Sequence, residues 1–268
     1  MLDVEIEPFL SAVLVVVSAA AAYYLSFLTL SGAVAGLATG GMVALGFGFP
    51  GLVLMGAFFI SSSVLSKLKV NKKRRHFEKN LHEKGSTRDW KQVAANGGIA
   101  AAAAGVGAFV TGDDIWAIIY MISLASATAD TWASELGPLS KGDPVSIRGF
   151  AKVPPGTSGA VSFAGTLASF AGSMMIALLS SFLFHPGMAP VILVTLAGFS
   201  GSLIDTWLGA YIQALYRCGA CGIHTEKRKH CKSSTRLVRG FSWLDNDAVN
   251  FFSGFGAVLF GIILLMVF

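Results

Sequence analysis

The sequence predicts an all-α polytopic membrane protein of about eight transmembrane helices, with six or seven as alternatives. Both termini are expected outside and the basic loops in the cytoplasm. Three observations carry this. Only 13% of the 268 residues are charged and 54% are apolar, whereas a soluble domain holds about 25% charged residues. Several apolar runs reach the ~20 residues that cross a bilayer as a helix. All twenty Lys and Arg residues fall into three stretches, and such residues concentrate in cytoplasmic loops. The same composition excludes a disordered chain, which needs low hydrophobicity and many charges.

The N-terminus carries Asp3, Glu5 and Glu7 and no basic residue, so it lacks the basic n-region of a cleaved signal peptide. Reaching a first cytoplasmic loop from outside takes an odd number of crossings. Breaks near Ser31-Gly32 and Phe49-Pro50-Gly51 divide the first 66 residues into three spans. A re-entrant Gly-rich middle piece gives the six-span alternative.

The stretch Lys67 to Lys91 holds ten basic residues interleaved with Phe77, Leu81 and Trp90. It reads either as an amphipathic helix on anionic headgroups or as a plain orientation signal. His76 and His82 within it read as solvated. Two spans broken at Thr111-Gly112-Asp113-Asp114 lead to the second basic stretch, Lys141 to Lys152, and a hairpin broken at His185-Pro186-Gly187 leads to the third, Arg217 to Arg239. The run Ala248 to Phe268 crosses once more. Small residues crowd several spans, among them Ala100 to Ala104, Gly159, Gly165 and Gly172, and most of them read as close helix packing.

Three of the fifteen acidic residues, Asp130, Glu135 and Asp205, fall inside or at the edge of apolar spans. An ionised group at mid-membrane costs roughly 2.5–3.5 kcal/mol on insertion scales, so such residues face a watery interior and mark function. The plainer reading is a polar clamp between helices. Thr131 and Glu135 share a helix face, as do Asp130 and Ser134, and Asn96 lies one turn into its span. The phrases Asp130-Thr131-Trp132 and Asp205-Thr206-Trp207 echo one another, by chance or as two halves of one site. Carboxylates of this kind suit Mg²⁺, which is held by one or two of them together with substrate phosphates.

The segment Lys152-Val153-Pro154-Pro155-Gly156-Thr157-Ser158-Gly159 precedes an apolar span. It is expected to open that helix with Thr157 or Ser158 as N-cap and to present its N–H groups to a phosphate. No Gly-x-x-x-x-Gly-Lys-Ser/Thr loop is present, which excludes a P-loop nucleotide site. Nucleophile-elbow and zincin motifs are missing too. Phosphoryl transfer, which needs positioning and electrostatics more than covalent chemistry, remains.

All three cysteines lie in the third basic stretch, as Cys218-Gly-Ala-Cys221 and His230-Cys231. In a reducing compartment a disulfide is disfavoured. Cys218, Cys221, His230 and Cys231 suit a tetrahedral structural Zn²⁺ site, with His224 as a spare ligand. The other reading is free thiols in a loop ordered by its neighbours.

Read together, several motifs resemble a known family. They are Asn96-Gly97-Gly98, the run Ala129-Asp130-Thr131-Trp132-Ala133-Ser134-Glu135-Leu136-Gly137, Pro155-Gly156-Thr157-Ser158-Gly159-Ala160-Val161-Ser162, and Gly201-Ser202-Leu203-Ile204-Asp205. The cysteine loop and Leu244-Asp245-Asn246-Asp247-Ala248-Val249-Asn250 follow in order. This looks like the integral membrane family of the phytyl-phosphate kinases and the animal transmembrane protein 19, distantly similar to dolichol kinases and CDP-diacylglycerol synthases. The likeness runs from about Trp90 onward; the N-terminal third matches in hydropathy alone.

The resemblance implies a kinase that converts an isoprenyl monophosphate to the diphosphate, with CTP as donor and Mg²⁺ as cofactor. Asp130, Glu135 and Asp205 are then expected to hold Mg²⁺. Lys152, Gly156, Thr157, Ser158, Gly159 and Ser162 would cradle phosphate. Asn96 would orient a phosphate or a metal-bound water, and Asp245, Asn246 and Asn250 would contact nucleotide or cap a helix. A cytidylyltransferase, a prenol kinase and a cation-coupled transporter are the rivals. The expected partners are the isoprenyl monophosphate, a nucleoside triphosphate and membrane lipids; a homodimer stays open and nucleic acid is not expected. The chain divides accordingly into N-terminal membrane helices (1–66), a basic cytoplasmic loop (67–91) and a catalytic membrane domain (92–268) that includes the Cys loop 217–247.

Overall fold

The computed structural model describes residues 2–67, 85, 87–110, 114–140, 142–185 and 187–267. Most of the basic stretch after Lys67, including Phe77, Leu81, His76 and His82, lies outside them. The helices are α1 (Leu2–Tyr24), α2 (Leu30–Lys67), α3 (Trp90–Gly107), α4 (Ile115–Leu136), α5 (Phe163–Phe184), α6 (Met188–Tyr211) and α7 (Asn246–Val267). A short antiparallel pair, β1 (Val145–Ser146) and β2 (Ala160–Val161), lies between α4 and α5. Between α6 and α7 stand β3 (Leu215–Cys218), β4 (His224–Thr225), β5 (Lys229–His230) and β6 (Ser233–Arg239). They form an antiparallel sheet in the order β4-β3-β6-β5.

Five of the described helices, α1, α2, α5, α6 and α7, are long and apolar enough to cross a membrane. The less apolar pair, α3 and α4, stands inside the bundle. Ten successive residues of α4, Tyr120 to Ala129, are buried, so this helix is enclosed by protein on every side along that stretch. An enclosed helix has no need of the lipid-facing side chains that raise hydropathy, and its Ser and Thr residues find partners inside. Thr128 Oγ1, for example, donates to the Leu124 carbonyl at 2.7 Å.

Helix α2 is not one straight rod. Gly48 has φ 56° and ψ −149°, outside the helical region and open in practice only to glycine. A methyl group at Gly51 would lie 2.9 Å from Val43 Cγ1. In a continuous helix residues eight apart are separated by about 12 Å, so the chain reverses at Gly48. Residues 30–47 run antiparallel to α1, with Gly40 against Val15 and Gly48 beside Glu7. Residues 49–67 return to the first end, where Lys67 Nζ donates to the Leu25 carbonyl and Phe59 meets Phe27 edge to face at 6.3 Å. The sequence breaks expected near Ser31 and Pro50 therefore fall at residues 25–29 and at Gly48.

The molecule has two poles. At one, Tyr120 donates to the Gly51 carbonyl at 2.6 Å and Phe47 packs on Tyr120 and Phe184. The other gathers the α1–α2 connection, the entry to α3, the exit of α4, both sheets and the start of α7. There Arg88 N donates to the Phe27 carbonyl at 2.9 Å and Thr29 N to the Arg88 carbonyl at 3.0 Å.

Helices α4 and α6 cross closely because small residues meet. A methyl group at Gly198 would fall 2.5 Å from Ala125 Cβ, and one at Gly201 2.0 Å from Ser126 Oγ. Gly198→Val should therefore force this crossing apart, at a cost of about 1–3 kcal/mol for overpacking. The expected result is a lower thermal midpoint in detergent, with Gly56→Val, where a methyl meets open space, as a control that stays near wild type.

Candidate functional site

Between the ends of these elements, at the loop-bearing pole, lies a cavity of about 840 Å³. Its walls include residues 130–138 on α4 and its exit, 156–169 leading into α5, 199–206 on α6 and 245–250 at the start of α7. Its helical lining residues lie in the halves nearest this pole, with Phe199 at the middle of α6 the deepest along that helix.

Asp130, Glu135 and Asp205 all face this cavity, together with Asn96. The two echoed phrases meet here: Asp130 and Thr131 line one wall, Asp205 and Thr206 another. Their tryptophans part company, since Trp132 Nε1 donates to Ser61 Oγ at 3.3 Å while Trp207 is exposed on the outside. Asp205 Oδ2 accepts from Ser253 Oγ at 3.3 Å. With its amide turned to satisfy both neighbours, Asn250 donates to Asp205 Oδ2 at 3.1 Å and to the Asn246 carbonyl at 3.0 Å. A narrow extension brings Asn96, Asp130, Asn250 and Ser253 around one space, so α7 bridges the two aspartates. The charges of Asp130 and Glu226 both act on Asp205. Like charges held this close favour a bound cation. Glu135 accepts from Ser66 Oγ and interacts with Arg88.

The turn before α5 differs from expectation. The N-cap is Ser162, whose Oγ accepts from Gly165 N at 3.1 Å and donates to the Gly137 carbonyl at 3.2 Å. Thr157 and Ser158 belong to a preceding turn, because β2 intervenes before the helix starts. In that turn Thr157 Oγ1 donates to the Pro154 carbonyl at 2.7 Å and Ser158 Oγ to Glu226. Gly159 has φ 78°, and a methyl there would lie 2.4 Å from Ala210 Cα. Only glycine lets this turn press against the end of α6. Gly156, Thr157, Ser158, Gly159 and Ser162 still line the cavity. Lys152 does not: it pairs with Val145 in an isolated bridge and is exposed. The strand pairing of 145–152 carries its side chain away from the opening.

Asp245, Asn246 and Asn250 do line the cavity, and Asp245 also caps α7, its Oδ1 accepting from Ala248 N at 3.0 Å. Nucleotide contact and capping are thus open to the same side chain.

Several wall residues were not singled out from the sequence, among them Arg88, Gln213, Glu226 and Arg228. Arg88 and Arg228 are two among twenty clustered cations, and Glu226 is one acid in a basic stretch, so nothing in composition or spacing marks them. Arg88 Nη1 donates to Ser63 Oγ at 2.9 Å. Burial holds its guanidinium below the ordinary value while Glu135 pulls the other way. Glu226 is buried, with Oε1 accepting from Gln213 Nε2 at 3.0 Å as well as from Ser158.

The cysteine loop forms a second centre. The ligand atoms of Cys218, Cys221, His230 and Cys231 all lie within 4.8 Å of one another. His224, on β4, is not among them. Backbone N–H of Cys221 and the His230 ring lower the Cys218 thiol to about 6, and the Cys221 side chain raises that of Cys231 to about 11.

Residues 13–258 match the family described as integral membrane protein DUF92. The chain is 35% identical over 232 residues to Protein PGR of Arabidopsis thaliana, covering 78% of each chain. It is 38% identical to uncharacterized membrane protein MJ0933 of Methanocaldococcus jannaschii, over 62% of this chain and 66% of that one. It is 24% identical to Protein VTE6, chloroplastic, of Arabidopsis thaliana, over 83% of this chain and 61% of VTE6. No solved structure matches.

Proposed function

For a chain that belongs to the DUF92 family of integral membrane proteins, as its motifs indicated, we propose a membrane-embedded kinase that converts an isoprenyl monophosphate, of phytyl or geranylgeranyl type, to the diphosphate with CTP as donor. The observation that carries this reading is the meeting of Asp130, Glu135 and Asp205, from two different helices, in one cavity at the loop-bearing pole. Similarity to VTE6 across 83% of the chain accompanies it.

The donor set fits Mg²⁺. Carboxylates, hydroxyls and amide oxygens are the hard ligands this ion takes, and the cavity offers Asp130, Glu135, Asp205, Thr131, Ser202 and Asn96. When bound, Mg²⁺ would neutralise phosphate charge and polarise the transferred group. Asn250 and Ser253 orient the Asp205 carboxylate. Arg88 and Arg228 supply fixed positive charge for phosphate oxygens. An oxygen of the lipid monophosphate attacks the γ-phosphorus, the bond from that phosphorus to its bridging oxygen breaks, and CDP leaves with the electron pair. The attacking phosphate is already ionised, so no general base is required.

Eight crossings belong to the same proposal. Counting α2 as two legs, the helices alternate between poles eight times, with both termini at the pole away from the cavity. The described basic residues gather at the cavity's pole, which supports a cytoplasmic side for it in this reading. A cavity confined to one half of the bundle suits chemistry fed from one side better than transport across it. Leu203 lines the cavity and is 48% exposed, so it offers an apolar wall along which an isoprenyl chain would lie.

The test is an assay of purified protein with labelled CTP and isoprenyl monophosphates. Label from the γ position should appear in lipid; label from the α position would instead make the protein a cytidylyltransferase. Asp130→Asn should lower turnover by at least ~100-fold, as loss of a transition-state electrostatic contact does, with the variant still folded in detergent. Full activity would remove Asp130 from the metal site. Leu203→Trp should raise KM for the lipid several-fold and leave KM for nucleotide unchanged. For topology, a cysteine placed at Gly187 should react with an impermeant maleimide in intact cells, and one placed at Gly142 only after permeabilisation; the opposite pattern inverts the orientation.

A further inference from the structure

The sheet between α6 and α7 holds the densest cluster of soft ligands among the described residues. Cys218 is the last residue of β3, Cys221 lies in the turn to β4, His230 ends β5 and Cys231 follows it. His230 Nδ1 lies 3.4 Å from Cys221 Sγ and 3.3 Å from Cys231 Sγ. In a tetrahedral zinc site with Zn–S of about 2.3 Å and Zn–N of about 2.0–2.1 Å, ligand atoms are separated by about 3.5–3.8 Å. The two His230 contacts are close to that size, the remaining separations reach at most 4.8 Å, and all three cysteines are free thiols.

Backbone conformation adds a second observation. Cys231 and Lys232 have φ 51° and 61° in the two-residue turn between β5 and β6. Such turns normally use Asn or Gly at these places, and a non-glycine residue held there stores strain that the surroundings must offset. The turn aims Cys231 back toward the other three ligands. On the opposite side, Gly222 N donates to the Cys218 carbonyl at 2.9 Å and Cys218 N to the Ile223 carbonyl at 3.0 Å, closing the Cys-x-x-Cys turn.

We propose that Cys218, Cys221, His230 and Cys231 bind one structural Zn²⁺, and that this ion clamps the loop 222–229 so that Glu226 and Arg228 form the roof of the cavity. Three thiolates and one imidazole leave no open coordination position, which is the signature of a structural rather than a catalytic zinc. Cys221 and His230 bracket the loop on either side. Within it Glu226 receives Ser158 and Gln213, Arg228 Nη2 donates to the Ser242 carbonyl at 2.7 Å, and Thr235 Oγ1 donates to the Lys227 carbonyl at 2.7 Å. The roof thus joins β2's preceding turn, the end of α6 and the approach to α7 through a loop of eight residues that has only short strands to hold it. The inference is independent of the reaction the cavity performs.

Elemental analysis of the intact chain purified in detergent from zinc-supplied cells should give about one zinc per chain. Cys218→Ser with Cys221→Ser should lose it, and His224→Ala should keep it. Should the cysteine variants fail to fold, the wild-type protein carries the test alone. Chelation of its zinc should open Lys227, Arg228 and Lys229 to trypsin at least ~10-fold faster, and cobalt reconstitution should give intense thiolate-to-metal charge-transfer absorption. Absence of zinc with the thiols free, or a Cys218–Cys221 disulfide found by mass spectrometry, overturns the site. Zinc present but a tryptic pattern unchanged by its removal overturns the clamp.

Discussion

A carboxylate inside a bilayer must meet water, a hydrogen-bond donor or a cation, and most of this fold follows from that constraint. Asp130 and Asp205 sit on helices that approach closely because Gly198 and Gly201 meet Ala125 and Ser126. Both aspartates border a third helix, where Asn250 and Ser253 donate to Asp205 and line the space beside Asp130. A helix with large side chains at these crossings would hold the acids apart, each then bearing its own desolvation cost of several kcal/mol. Close packing and a polar cavity are therefore two aspects of one arrangement: small residues on one face of α6 bring the polar ones together.

Charge then decides what the cavity can accept. Among the described residues its wall carries six carboxylates, from Asp130, Glu135, Asp205, Glu226, Asp245 and Asp247, and two guanidiniums, from Arg88 and Arg228. A bare triphosphate would be repelled by such a wall. A triphosphate accompanied by divalent cations would not, since the ions bridge carboxylate to phosphate oxygen. The excess of acid over base fits the proposed metal-loaded donor, for which the two arginines would supply localised positive charge. Arg88 is held by Ser63 and Glu135, which fixes its guanidinium before any ligand arrives.

Much of this was legible in the sequence, for identifiable reasons. Intramembrane acids are rare enough that Asp130, Glu135 and Asp205 stand out against an apolar background, and the repeated Asp-Thr-Trp phrase, readable as chance or as two halves of one site, falls on two walls of one cavity. Pro50 announced a break, although the reversal itself falls at Gly48, because a glycine rather than the proline can take a positive φ there. The start of α5 was misplaced by several residues because Thr157 and Ser158 look like caps by type, while β2 pairing delays the helix until Ser162. Lys152 looked like a phosphate ligand from its neighbours in sequence, but strand pairing with Val145 turns it outward. Arg88 and Glu226 could not be told from surrounding loop charges, since what distinguishes them is tertiary burial.

The sheet between α6 and α7 shows why a helical membrane protein with a polar cavity would carry a small β-sheet at one end. Helices alone leave the cavity's polar mouth open at the membrane surface, and a loop spanning it has little apolar surface with which to hold itself in place. Here β6 returns Arg239 to donate to the Gly209 carbonyl at 2.8 Å, in the last turn of α6, where a cation also complements the helix dipole. Gly240, at φ 73°, brings the chain within 2.2 Å of the Gln213 carbonyl at the position a methyl would take. The end of β6 thus fastens the sheet to the bundle, while Glu226 lies in the link between the two-residue strands β4 and β5, which form the two edges of the sheet. The proposed cross-link through Cys218, Cys221, His230 and Cys231 would let this surface loop serve as a fixed wall of the cavity.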